Sequence, residues 1–60
     1  MCEFKVLLDD EMVARDVTYA KKENGVTILW DIIGQVKRYE GVEIIEVNVK
    51  SQTLKLSKRI

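Results

Sequence analysis

The fold is decided by residues 17–30, Val17-Thr18-Tyr19-Ala20-Lys21-Lys22-Glu23-Asn24-Gly25-Val26-Thr27-Ile28-Leu29-Trp30. At its centre, Asn24-Gly25 supplies the two positive-φ residues that a tight type I′ hairpin requires. β-Branched and aromatic residues crowd both flanks, as they do in pleated, half-buried strands. The stretch therefore predicts one strand over Val17–Lys22 that returns as Val26–Trp30.

The same period-2 alternation extends in both directions. In Cys2-Glu3-Phe4-Lys5-Val6-Leu7-Leu8, one face carries Cys2, Phe4, Val6 and Leu8, while Glu3 and Lys5 point away. Asp9-Asp10-Glu11 reads as a polar, solvated turn, and Met12 to Ala14 begins the return strand. Leu29, Ile32, Ile33, Val36 and Tyr39 also fit a helical stripe. A mid-helix Gly34 costs about 1 kcal/mol relative to Ala, which favours a connection over Asp31–Gly34 and a strand over Gln35–Tyr39. Glu40-Gly41 makes the next turn; Val42 to Lys50 alternates, with a phase shift at Ile44-Ile45 that predicts a β-bulge. Ser51-Gln52 turns the chain into a last strand, Thr53–Ser57, with Leu54 and Leu56 inward and a frayed tail from Lys58.

These elements predict an all-β domain over residues 1–60: a small antiparallel bent sheet or barrel of five to six short strands. Leu7, Leu29 and one of the Ile44/Ile45 pair fall opposite the main apolar set of their strands. A chain of this size buries only about 60% of the surface its unfolded form exposes. With one cysteine, no intrachain disulfide is available to staple it. Both facts point to a homodimer, with a partner subunit covering the excess apolar surface.

Ten basic residues balance ten acidic ones, which argues against the basic footprint of a nucleic-acid-binding domain. The absence of histidine removes imidazole catalysis and ordinary zinc spacing patterns. No apolar run reaches the roughly 18 residues of a membrane span, and the start does not read as a signal peptide. A lone thiol without an export signal predicts a cytoplasmic protein. No nucleophile or acid–base pair stands out, and a chain this small lacks room for a ligand pocket of about 300 Å³. A non-enzyme is expected.

Cys2 is the candidate metal ligand. With Met1 removed, its α-amine and thiolate close a five-membered chelate; with Met1 retained, the Met1 amine, the Cys2 amide nitrogen and the Cys2 sulfur form two fused rings. Such N/S donors suit square-planar Ni(II) or Cu(II) better than tetrahedral zinc. Two chains about a two-fold axis complete four donors, giving one ion per dimer. The plainer reading is that Cys2 shares a face with Phe4 and Val6 and merely fills the core.

The chain resembles the CooT family of small nickel-binding proteins. The likeness runs through Met1-Cys2, Phe4–Leu8, Ala14-Arg15-Asp16-Val17, Trp30–Gly34, Gly41-Val42-Glu43-Ile44 and Leu54-Lys55-Leu56. It implies a homodimer of β-rich subunits, Cys2 as the nickel-site residue, and service to a nickel enzyme or its maturation machinery. Members of the family have also been labelled predicted RNA-binding proteins. RNA is accordingly the alternative partner, through Tyr19 with Lys21-Lys22 and Tyr39 with Lys37-Arg38. Glu23 and Glu40 flank those pairs, and lysines on edge strands also deter aggregation. Trp30 is expected as an anchor of the core or of the dimer interface.

Overall fold

A computed structural model describes residues 3–58. Six strands follow one another: β1 (Phe4–Leu8), β2 (Glu11–Glu23), β3 (Val26–Asp31), β4 (Val36–Glu40), β5 (Val42–Asn48) and β6 (Thr53–Lys58). They form one sheet in the order β4-β3-β2-β1-β6-β5, without a helix among the described residues. The expected hairpin is present: Glu23 pairs with Val26 across Asn24-Gly25, and both turn residues have positive φ.

Two expectations are corrected, and of bent sheet or barrel the structure is the bent sheet. The sheet is mixed rather than antiparallel, because β1 and β6, the first and last strands, pair in parallel. It curls far enough to bring β3 against β5 but does not close into a barrel. Lys58 belongs to β6 and pairs with Val42, so that residue does not fray.

Two corners produce the curl. In β2, register shifts flank Asp16, whose φ is 58°, so the strand's first half pairs with β1 and its second half with β3. Bulges of this kind bend a strand and sharpen its twist. Gly41 forms the other corner, where the chain passes from the edge strand β4 directly to the opposite edge strand β5. Its φ of 71° is a conformation that glycine adopts without a Cβ penalty. The bulge expected at Ile44-Ile45 is also found, between the pairs Ile44–Leu56 and Glu46–Lys55.

The concave side holds the core: Val6, Ala14, Val17, Leu29, Val42, Leu54 and Leu56, with Phe4, Leu8, Val13 and Tyr39 packed against it. In β3 the alternation resolves against the numerical majority of apolar residues. Thr27 and Leu29 are buried, while Val26, Ile28 and Trp30 are half-buried on the convex side. The convexity of the curled sheet leaves room there for the larger side chains. Thr27 is fully buried, and its Oγ1 has no hydrogen-bond partner among the described residues. A buried hydroxyl in that condition costs about 1–3 kcal/mol.

Candidate functional site

Cys2 and Met1 lie outside the described residues, so the site is framed by what surrounds the start of β1. Phe4 opens that strand and pairs with Val17. Beside it runs an open groove of ≈ 270 Å³, lined by Phe4, Val17, Tyr19, Ile44, Val47 and Leu54 among others. Its floor is the core itself, whereas its rim is exposed: Ile44 is 40% and Val47 59% accessible. The edge strand β5 supplies two of the rim residues, because its bulge keeps Ile44 and Val47 on the face of Leu56 and Leu54.

A second opening lies where β2 bends away from β3. This cleft, ≈ 350 Å³, is bounded by Met12–Val17 on one side and by Asp31–Lys37 on the other, with Leu29 in its wall. The expectation that so short a chain lacks such a volume is therefore wrong, because two strand bulges open it. Its lining is held by polar links. Lys37 Nζ donates to the Val13 carbonyl at 2.9 Å, and Ile32 N donates to the Asp16 carbonyl at 2.8 Å. Asp31 Oδ1 accepts from Ile33 N at 3.1 Å and from Gln35 N at 2.8 Å. Its backbone N also donates to the Gln35 carbonyl, and its carbonyl accepts from Gly34 N. Asp31 thus organises the whole β3–β4 connection. The sequence signal was present, an aspartate three residues before a glycine at a strand end, but a turn carboxylate reads as ordinary solvation.

Asp9 and Asp10 lie in the exposed turn that the sequence predicts, and Asp9 also bonds across to the last strand. Asp9 and Asp10 form a turn with φ of 50° and 69°. Asp9 Oδ1 accepts from Ser57 Oγ at 3.2 Å and from Lys58 N at 3.3 Å, which ties the first turn to the last strand. No group of three or more potential metal-ligating side chains occurs among the described residues.

The basic–aromatic pairs are split by the sheet. Cross-strand partners share a face. Tyr19, Lys21, Trp30 and Arg38 therefore lie on the convex side of β2–β4, whereas Lys22, Lys37 and Tyr39 belong to the Thr27–Leu29 side. On the convex side, Tyr19 and Trp30 pack with ring centroids 4.7 Å apart at 43°. Trp30 is consequently not a core anchor. Glu23 pairs with Lys21 at 3.2 Å on the same side.

These features define a small β protein with an apolar groove beside Phe4, where β1 begins. In sequence, the one thiol, Cys2, comes two positions before the first strand. Residues 1–57 match the family model of the CO dehydrogenase accessory protein CooT, and the chain belongs to that family. No curated protein matches it. As an accessory protein of CO dehydrogenase, the family has a maturation-related role rather than the catalytic one, in keeping with the non-enzyme reading.

Proposed function

We propose that this chain is a cytoplasmic homodimer that holds Ni(II) as cargo through Cys2, one ion per two chains, for maturation of a nickel enzyme. The observation that carries the reading is the family match, which starts at residue 1 and so includes Met1-Cys2. The donor chemistry supports it. In a chain without histidine, the Cys2 thiolate and the terminal nitrogens are the N/S donors at hand. Cys2 precedes the anchored Phe4 by two positions, a reach of about 7 Å. The apolar groove beside Phe4 offers a second copy a surface to cover, and two thiols can then share an ion. Binding releases the thiol proton, so affinity rises with pH.

Titration of the purified chain with Ni(II) tests this reading. A thiolate-to-nickel absorption band that saturates at one ion per two chains is the expected result. A Cys2→Ser variant that binds nickel as tightly as the parent overturns it. RNA is the second reading, favoured by Tyr19 and Trp30 standing beside Lys21 and Arg38 on one face. Glu23 and Glu40 on that same face weigh against a phosphate backbone. A gel shift with single-stranded RNA at low salt decides it, since phosphate contacts weaken steeply as salt rises.

A further inference from the structure

The convex face of β2–β3–β4 is ordered in three cross-strand rows. Tyr19, Trp30 and Val36 form the first, Lys21, Ile28 and Arg38 the second, and Glu23, Val26 and Glu40 the third. An apolar column of half-buried side chains, Trp30, Ile28 and Val26, runs down the middle strand. Each shoulder carries a cation in the second row and an anion in the third. The first row is apolar throughout: Tyr19 is 48% and Val36 41% exposed, and the Tyr19 ring packs on Trp30. Arg38 and Glu40 form no ion pair among the described residues, and the exposed Lys21–Glu23 pair is of a kind worth little by itself. An apolar centre between charged margins is the anatomy of a protein contact.

The dimensions decide what fits. Neighbouring strands lie about 4.8 Å apart, so the two charged shoulders stand about 10 Å from each other. A single extended peptide turns one column of side chains toward the sheet and does not meet both shoulders at once. An α-helix, about 10 Å across, does: its apolar stripe covers the middle column while its two flanks reach the shoulders. Spacing along the strands agrees. Residues on one face of a strand repeat about every 7 Å, and four residues of helix advance about 6 Å. A sheet face with an apolar column is ordinarily covered by another layer, and none of the described residues forms a helix.

We infer that this face docks an amphipathic helix of another protein, laid along β3. The helix covers Trp30, Ile28 and Val26 with its apolar stripe and seats a bulky apolar side chain against the first row. Acidic residues on both of its flanks meet Lys21 and Arg38. Basic residues one turn further on meet Glu23 and Glu40. Acid four positions ahead of base is also the order a helix itself favours, so the helix starts over Tyr19 and runs in the direction of β2. A helix with bases next to its apolar end sets like charges together, or matches the charges only by turning round and leaving the first row bare.

Two synthetic helices of one composition test this, read by the emission of Trp30, the chain's one tryptophan. Both begin with an uncharged apolar turn and lack tryptophan. In the first, glutamates flank the stripe in the next turn and lysines in the turn after; in the second, these are exchanged. Measured on the Cys2→Ser variant without metal, the first peptide is expected to move Trp30 emission to shorter wavelength. It binds at least about tenfold more tightly than the second, by a margin that narrows at high salt. Arg38→Glu weakens the first peptide by at least about tenfold. Exchanging all four charges (Lys21→Glu, Arg38→Glu, Glu23→Lys and Glu40→Lys) reverses the preference, which a misfolded chain does not do. Equal binding of the two peptides, or binding of neither, overturns the inference. So does a single-stranded uridine oligonucleotide that quenches Trp30 where the peptides do not, which assigns the face to nucleic acid. A Trp30 shift that appears with protein concentration alone overturns it too, and assigns the face to a second copy. Because the variant lacks the thiol, failure of the nickel reading leaves these outcomes unchanged.

Discussion

The two openings of the curled sheet are of similar size and are lined differently. The cleft beside Asp16 is crossed by the chain's own polar groups: Lys37 bonds Val13, Ile32 bonds Asp16, and Asp31 gathers the amides of the connecting loop. The groove beside Phe4 has apolar side chains at its rim, Ile44 and Val47 among them. A backbone that bends must satisfy the hydrogen-bonding groups it leaves behind. At the first opening, side chains and loop amides of the same chain do so. At the second, what is exposed is apolar surface rather than backbone.

The comparison can be broken at four places, taken from the largest expected effect downward. Leu29→Ala removes the buried wall of the cleft beside Asp16 and costs about 2–5 kcal/mol, read as a fall in the urea midpoint. Asp31→Ala strips two amides of their acceptor and costs about 1–3 kcal/mol, with faster hydrogen exchange at Ile33 and Gln35 while the Asn24-Gly25 hairpin keeps its protection. Unchanged exchange there means that the carboxylate is not what shapes the loop. Thr27→Val, in the core, replaces the unpartnered hydroxyl by a methyl group and stabilises the fold by about 1 kcal/mol. A loss of stability instead reveals a bonded hydroxyl. The smallest effects come from a matched pair. Lys37→Met lowers stability by about 0.5–1.5 kcal/mol by removing the bridge to Val13. Val47→Ser, at the exposed rim, changes monomer stability by no more than about 0.5 kcal/mol and weakens self-association instead. If both variants act on stability alone, the two openings are not different in kind.

Much of the strand pattern was legible because it rests on local chemistry. Asn24-Gly25 fixed its hairpin through φ, the Ile44-Ile45 doublet announced its bulge, and Leu54 and Leu56 point inward as their alternation required. The parallel pairing of β1 with β6 was not legible, since no local signal states which distant strand lies alongside. The facing of β3 was misleading for a related reason. Val26, Ile28 and Trp30 outnumber Leu29 in the apolar alternation, yet the direction of curl placed Leu29 and Thr27 inside. That direction is set at Asp16 and Gly41, and neither residue carries an apolar signal. As for the candidate site, Cys2 was visible as an isolated thiol in a chain without histidine, and the groove near Phe4 was not.

By itself, the sequence determined an all-β chain, the positions of its turns and the family to which it belongs, because propensity, turn chemistry and motif are properties of neighbouring residues. The tertiary structure alone decided which face of each strand is inside, and which opening is crossed by its own polar groups. It also arranged Lys21, Arg38, Glu23 and Glu40 in complementary rows. Those outcomes depend on how strands far apart in the chain are laid side by side, and pairing at a distance is governed by the shape of the whole sheet.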